Sequence, residues 1–322
     1  MNEFDVIARY FSPLAAGDNA ALGLKDDAAL LHPLPGHELV ITKDAIVAGV
    51  HFTGNEHPGL IARKCLRMNL SDLAAMGAAP YGYFLALMLP QTIDSAWLQS
   101  FAQGLRADQE CYGITLLGGD TTRTCGPLSM SITALGYVPQ GQALKRSGAM
   151  VKDDVYITGT LGDAALGLRV AKNELPTSSA MHQYLLDRYQ LPEPRVKLGQ
   201  ALRNVATSCI DISDGLVQDL EHICECSKVG ATIYMPFIAL SDAAQSLLPS
   251  IKHSHEVTLT GGDDYELLFT APQDAAMALQ ALSAQLGVPV TRIGTIDNGQ
   301  TVSVMDTANK PISLSRKGYS HF

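Results

Sequence analysis

The sequence predicts a two-domain protein of the α+β class, on three observations. Its 322 residues suffice for two substantial cores. The first half interleaves β-like runs with two helical segments instead of repeating strand and helix regularly, which argues against a doubly wound sheet. Turn residues Pro139-Gln140-Gly141-Gln142 then break the pattern, so residues 1–138 form one expected domain and residues 139–322 the other. A Gly-Gly-Asp triplet occurs on each side, at Gly118-Gly119-Asp120 and Gly261-Gly262-Asp263; it hints at related halves and is too short to establish a repeat.

In the first half a short helix is expected over residues 3–11, followed by the polar stretch Gly17-Asp18-Asn19-Ala20 and the acidic pair Asp26-Asp27. Residues 37–42 are β-like and end in Lys43-Asp44-Ala45, ahead of Gly49-Val50-His51-Phe52. Residues 63–80 are the most informative stretch. Leu66, Leu70, Leu73 and Gly77 share one side of a helix and Cys65, Met68, Asp72 and Ala75 the adjoining side. The helix is therefore expected to be largely buried and to stop at Gly77, with Pro80 beyond. Asp72 stands among apolar positions, where an ionised carboxylate is costly without a cation, and Asn69, one turn earlier, is expected to point an amide at the same spot. The ordinary alternative is a capped or partly exposed Asp near a helix end. A strand over 81–89, a helix over 95–112, a buried strand over 114–117 opening into the turn Gly118-Gly119-Asp120-Thr121-Thr122, and a strand over 129–138 complete this half.

The second half opens on Lys145-Arg146-Ser147-Gly148-Ala149. A strand over 154–158, a glycine-rich turn at 159–163 entering a helix that runs to 170, the loop Leu191-Pro192-Glu193-Pro194 and a helix over 195–205 lead to Asp211-Ile212-Ser213-Asp214-Gly215. Leu220, Ile223 and Cys224 are spaced as on a helix starting at Leu216. A strand over 231–235, the turn Gly261-Gly262-Asp263-Asp264, a strand over 265–270, a helix over 274–286 and a hairpin-like end over 290–304 follow.

Composition removes several function classes. The net charge is −9 and acids outnumber bases in both halves, which excludes a basic nucleic-acid module. No apolar run reaches the roughly 18 residues needed to cross a bilayer. Met1-Asn2-Glu3-Phe4 has neither the basic nor the apolar region of a signal peptide, so the scattered cysteines are expected as reduced thiols of a cytoplasmic protein. Cys224-Glu225-Cys226 lacks the two-residue spacing of a zinc or redox motif and reads as helix packing.

The chemistry is carried by carboxylates. Asp27, Asp44, Asp120, Asp211, Asp214 and Asp263 fall at strand ends or glycine turns, and Asp72 on the buried helix. Taken singly each has an ordinary explanation, as an Asx turn or, for Asp214 before Gly215-Leu216, a helix N-cap. Gathered on one side of a domain they would repel one another unless divalent cations joined them. Oxygen ligands with few His or Cys nearby select Mg²⁺, and Mg²⁺ in a glycine-lined site points to the phosphates of a nucleotide. The chain has no Gly-x-x-x-x-Gly-Lys-Ser/Thr loop, no protein-kinase catalytic loop and no Gly-x-Ser-x-Gly elbow. Phosphoryl transfer by a metal-bridged carboxylate cluster with an arginine clamp fits better. Arg146, beside Gly148, is the candidate clamp; an isolated surface Arg is the ordinary alternative.

Seen together, Asp26-Asp27-Ala28-Ala29, Ile41-Thr42-Lys43-Asp44, Gly49-Val50-His51-Phe52, Asn69-Leu70-Ser71-Asp72-Leu73-Ala74-Ala75-Met76-Gly77-Ala78, Gly118-Gly119-Asp120-Thr121, Lys145-Arg146-Ser147-Gly148-Ala149, Asp211-Ile212-Ser213-Asp214-Gly215-Leu216 and Gly261-Gly262-Asp263-Asp264-Tyr265-Glu266-Leu267 form an ordered series. The series resembles thiamine-monophosphate kinases of the aminoimidazole ribonucleotide synthetase-like superfamily, and it spans nearly the whole chain. The resemblance implies that superfamily's two-domain α/β fold. An N-terminal sheet would form a barrel-like interface in a homodimer, a C-terminal domain would complete the active site, and ATP would bind between them without a P-loop. It also implies direct transfer of the ATP γ-phosphate to thiamine monophosphate, giving thiamine diphosphate and ADP.

Residue by residue, the resemblance implies Mg²⁺ ligation by Asp27, Asp44, Asp72, Asp120, Asp211 and Asp214, assisted by Thr42 and the backbone of Lys43. It implies ATP contacts by Gly119, Asp120, Arg146 and Ser213, thiamine monophosphate contacts by His51, Asp263 and Tyr319, and catalytic roles for Asp72, Asp120, Arg146 and Asp214. Three positions depart from the family pattern: Lys43 where a small or hydroxyl residue is usual, Asp263 where Glu is common, and Tyr319 where Trp is frequent. Tyr319 still offers an aromatic face to a cationic thiazolium. Another ATP-dependent enzyme of the same superfamily, or a Mg-nucleotide-binding sensor, is the alternative that an assay with thiamine monophosphate separates.

Overall fold

The computed structural model describes residues 3–320. The chain divides into two compact units: one runs to Leu73 and resumes over Ala78–Gly141, and the other comprises Ala74–Gly77 and the chain from Gln142 onward.

In the first unit α1 (Glu3–Val6) widens into a π-turn over Ile7–Phe11, and 3₁₀ turns follow at Ser12–Leu14 and Asn19–Leu24. The helix expected over 3–11 is thus α-helical only in its first turn, and Pro13, lacking an N–H, cannot continue it. Four strands, β1 (His37–Val47), β2 (Ala79–Pro90), β3 (Thr115–Thr124) and β4 (Ser129–Pro139), form a sheet in the order β1-β4-β2-β3. α2 (Pro58–Ala75) connects β1 to β2, and α3 (Ser95–Tyr112) is the crossover between the parallel pair β2 and β3. The two-residue strand period buries Ile46, Leu85, Leu87, Met130, Ile132 and Ala134, while Leu39 and Ile41 on β1 stay exposed. Ala15, Ala20 and Ala21 of the N-terminal segment pack with Leu117, Tyr81 and Phe84 at the β2–β3 side.

The spacing of 63–80 is realised in α2, where Ile61, Ala62, Leu66, Leu70 and Leu73 are buried. Beyond it Gly77 takes φ +67° and the Ala78 N–H donates to the Leu73 carbonyl at 2.8 Å, a left-handed helix stop. Arg63 and Arg67 of α2 both donate to Asp108 of α3, whose carboxylate is fully buried. One expectation fails here. The Gly118–Thr122 stretch is not a turn but the middle of β3, kept extended by its parallel ladder to β2.

The second unit contains β5 (Asp154–Thr158), α4 (Asp163–Ala171), α5 (Ser179–Gln190), α6 (Val196–Leu202), β6 (Ser208–Asp211), α7 (Leu216–Ser227) and β7 (Gly230–Tyr234), then α8 (Asp242–Leu247), α9 (Ser254–Leu259), β8 (Leu267–Ala271), α10 (Ala276–Leu286), β9 (Val290–Asp297) and β10 (Val302–Met305). Its sheet has the order β10-β7-β9-β5-β8-β6, with β10 parallel to β7 and the other neighbours antiparallel. The end of the chain is therefore not a hairpin: β7 inserts between β9 and β10, with Ala231 and Ile233 fully buried in the core it shares with Ile293 and Val304. That core also joins Val155, Ile210 and Leu268 to Leu216, Leu220 and Ile223 of α7. The strand expected from residue 265 begins at Leu267, because Tyr265 takes a left-handed φ of +50° that a strand does not accommodate. Among the described residues, no helix is long and apolar enough to cross a membrane.

Candidate active site

β1 alternates Thr42 and Asp44 to one side and Lys43 to the other, so Lys43 is exposed and only its backbone shares the position of its neighbours. Thr42 donates its hydroxyl to Asp72 Oδ2 at 2.5 Å, which joins β1 to α2. Burial, and then the charge of Asp72, push the Asp44 carboxyl up to about 7. Two carboxylates 28 residues apart in sequence thus add to each other's negative charge; both are part-buried, and Asp72 is less enclosed than the helix spacing suggests because it lies in the last turn of α2. Asn69 does not serve this spot: its Nδ2 donates to the Cys65 carbonyl of its own helix at 3.1 Å. His51 accepts the Val47 N–H on Nδ1 at 3.2 Å, so a neutral His51 carries its proton on Nε2.

A cavity of about 390 Å³ opens beside β3. Asp26, Asp27 and Gly118–Thr121 line it, together with apolar side chains that include Phe11, Leu24 and Phe84. Gly119 is needed there, since a Cβ would stand 1.9 Å from the Leu85 carbonyl oxygen. The structure brings Asp27 and Asp120 to this one cavity and Asp44 to Asp72, but it does not fuse the two pairs. Asp44 shares a register row with Ile132, Leu85 and Gly119, whereas Asp120 shares the next row with Ala86, Ser131 and Ala45. It is therefore one residue out of phase with Asp44. Among the described residues no group of three or more His, Cys, Asp or Glu side chains is gathered closely enough to hold a metal ion.

In the second unit the predicted residues converge through the backbone. The Asp263 N–H donates to the Ser213 carbonyl at 2.9 Å and the Tyr319 N–H to the Asp214 carbonyl at 3.0 Å. Gln218 bridges the Asp214 carboxylate and the Tyr319 carbonyl, each at 3.0 Å. Tyr265 donates its hydroxyl to Asp263 Oδ1 at 3.2 Å. Asp211 is buried at the end of β6, and the segment carrying Arg146 lies along that strand, with the Cys209 N–H donating to the Lys145 carbonyl. The Arg146 residue itself is exposed.

Sequence reasoning missed several buried acids beside these residues. Asp219 Oδ2 accepts the N–H groups of Ser213, Asp214 and Gly215 at 3.1–3.2 Å; burial, then the Asp214 charge, raise its carboxyl to about 7. Asp264 accepts from the Gly162 and Ala164 N–H groups, and burial raises it to about 7 as well. Glu266 is ionised within a cage of Arg188, Arg195 and Thr158, which hold its carboxyl below the usual range despite complete burial. The Gly261–Leu267 motif was a signal for Asp264 and Glu266; their partners, far away in the chain, had none.

Comparison with known proteins agrees along the whole length. Residues 25–138 match the N-terminal domain of AIR synthase related proteins, and residues 153–307 match the C-terminal domain. The thiamine-monophosphate kinase of Caulobacter vibrioides is 44% identical over 99% of this chain and 90% of its own. That of Escherichia coli K12 is 44% identical over 99% of this chain and 98% of its own. The crystal structure of the thiamine-monophosphate kinase from Stenotrophomonas maltophilia superimposes with a TM-score of 0.85 at 43% identity, covering 94% of this chain and 96% of that one. AaThiL, solved in complex with AMPPCP and TMP, gives 0.80 at 28% identity, covering 92% and 91%. With both domain matches in sequence order and identity sustained from end to end, the chain belongs to the thiamine-monophosphate kinase family of AIR synthase related proteins.

Proposed function

We propose that the chain transfers the γ-phosphate of ATP to the phosphate of thiamine monophosphate, forming thiamine diphosphate and ADP. Full-length likeness to thiamine-monophosphate kinases, one of them bound to AMPPCP and TMP, supports the substrates. The structural observation that carries the chemistry is the Asp44–Asp72 pair, whose mutual repulsion under burial is relieved by a divalent cation. The donor set is all oxygen, which suits Mg²⁺. Asp44, Asp72, Thr42 and the backbone of Lys43, Asp27 and Asp120 at the cavity, and Asp211 and Asp214 in the second unit are the residues assigned to hold more than one Mg²⁺ ion. When bound, Mg²⁺ neutralises charge on the phosphates being transferred.

The chain's own groups do the positioning. The lack of a side chain at Gly119 lets β3 lie against the Leu85 carbonyl while Gly119 and Asp120 line the cavity assigned to ATP. The N–H groups of Ser213–Gly215 are committed to Asp219, so Ser213 offers ATP its hydroxyl. Arg146 supplies a bidentate phosphate contact, and His51, Asp263 and Tyr319 address the thiamine end, Tyr319 by stacking on the cation. Residues 1–138 are assigned to ATP, Mg²⁺ and dimerisation, and residues 139–322 to further ATP, Mg²⁺ and thiamine monophosphate contacts. Exposed Leu39 and Ile41 on β1 support a homodimer that covers this sheet. Free thiols at all six cysteines accord with a cytoplasmic setting.

Incubation with ATP, Mg²⁺ and thiamine monophosphate is expected to yield thiamine diphosphate and ADP in equal amounts, and no product when Mg²⁺ is chelated. Failure to form thiamine diphosphate by a preparation that still binds ATP would overturn this reading.

A further inference from the structure

Two residues in the turn that carries Asp263 hold backbone conformations that side chains resist, Asp263 at φ +69° and Tyr265 at φ +50°. Such strain persists only where the surroundings over-determine it. Here they do so twice. Along the backbone, Asp263 donates to the Ser213 carbonyl at 2.9 Å, Tyr265 to the Ile212 carbonyl at 2.8 Å, and Ile212 to the Glu266 carbonyl at 2.8 Å. Beneath it, Asp264 accepts from Gly162 and Ala164, and Glu266 is fully buried.

Glu266 is gripped by Arg195 through both oxygens at 2.7 and 2.6 Å, by Arg188 at 2.9 Å and by the Thr158 hydroxyl at 2.6 Å. A Cβ on Gly159 would lie 2.1 Å from Glu266 Oε1, so the chain leaves room for this carboxylate. None of Arg188, Arg195 and Thr158 is assigned to a substrate. Their shared anchor nonetheless lies three residues after Asp263, directly beyond the strained Tyr265.

We propose that Arg195 and Arg188, acting through Glu266, are positioning residues that lock the 262–265 turn so that Asp263 presents its carboxylate to thiamine monophosphate. The proposal rests on the reading of Asp263 as a contact for that substrate. Arg195, with its fork on both oxygens, carries the larger share. The Ser213–Gly215 loop shares backbone bonds with the turn but is also held by three N–H bonds to Asp219, so the nucleotide side keeps that support when the clamp is lost and is expected to change less.

Steady-state kinetics well below the unfolding temperature, varying each substrate in turn, separate positioning from plain destabilisation. Arg195→Ala is expected to raise KM for thiamine monophosphate about tenfold while KM for ATP stays within about twofold. Arg195→Lys, which keeps the charge without the fork, recovers part of the loss. Thr158→Ser keeps the hydroxyl that donates to Glu266 and accepts the Leu267 N–H, and is expected to leave both KM values unchanged. Thr158→Val removes both bonds at nearly constant shape; it gives the same split at about threefold and carries the test if Arg195→Ala does not fold. An unchanged KM for thiamine monophosphate in folded Arg195→Ala or Thr158→Val, or an equal rise in both KM values, overturns the proposal. Asp263→Ala is the control. If it leaves KM for thiamine monophosphate unchanged, the contact role of Asp263 fails and the proposal with it; if it raises KM and Arg195→Ala does not, only the positioning role fails.

Discussion

Acids withdrawn from water are met in two ways in this chain, and the contrast lies between Glu266, Asp264 and Asp219 of the second unit and the part-buried Asp44–Asp72 pair of the first, a unit that also holds a matched acid, Asp108 between Arg63 and Arg67. In the second unit Glu266 meets two guanidinium groups and a hydroxyl, and Asp264 and Asp219 meet two and three backbone N–H groups. In the first, Asp44 faces Asp72, and burial and repulsion together raise its carboxyl to about 7. Acids matched from within hold a fold in place. Acids that face one another repel, and a cation between them relieves the repulsion, which is the ground on which Asp44 and Asp72 are proposed as part of the site.

The sharpest way to break this contrast is Asp72→Asn. It is expected to lower kcat by about a thousandfold or more, since a ligand and its charge are lost. Unfolding temperature in EDTA should not fall, because the charge opposing Asp44 is gone. An active Asp72→Asn enzyme would make Asp72 structural. Glu266→Gln is predicted to do the reverse to stability, at about 3–5 kcal/mol by urea unfolding, because buried Arg188 and part-buried Arg195 are left around a neutral amide. A loss well under that range would mean that water or a neighbouring acid takes over the pairing.

Asp264 gives a pH signature. Its carboxyl titrates at about 7 in the folded chain against 3.8 ordinarily, so between those values the folded state binds the extra proton. Stability from this group therefore falls as pH rises through that window, and Asp264→Asn should flatten the fall in urea midpoints measured across it. An unaltered slope would assign the titration elsewhere. The smallest effect is expected from Asp263→Glu, which restores the side chain frequent in relatives by the sequence resemblance. It should lower KM for thiamine monophosphate about threefold without moving that for ATP, and an unchanged value would remove Asp263 from the acceptor contact.

Helix α2 shows how much local pattern can carry. The spacing of Leu66, Leu70 and Leu73 and the Gly77 stop were legible, because a 3.6-residue period reports which side is buried, whereas Asp72, read as buried, is part-exposed in the last turn of the helix. The same reasoning misjudged Asn69, whose amide turns back on its own helix, a choice between two hydrogen bonds that periodicity does not see. It also read Gly118–Thr122 as a turn, since glycines and threonines look like one locally while the ladder to β2 keeps them extended.

The sequence by itself determined the two-unit α+β organisation, the order of the carboxylate motifs and membership of the family, because burial periodicity, turn residues and short motifs are local properties of a chain. Tertiary structure alone decided which acids meet. Asp44 lies beside Asp72 while Asp120 falls one register row away. Glu266 finds Arg195 and Arg188 at separations of 71 and 78 residues, and β7 slips between β9 and β10. These outcomes follow from strand register and from the need to neutralise charge in a core, and both are settled only when distant segments pack.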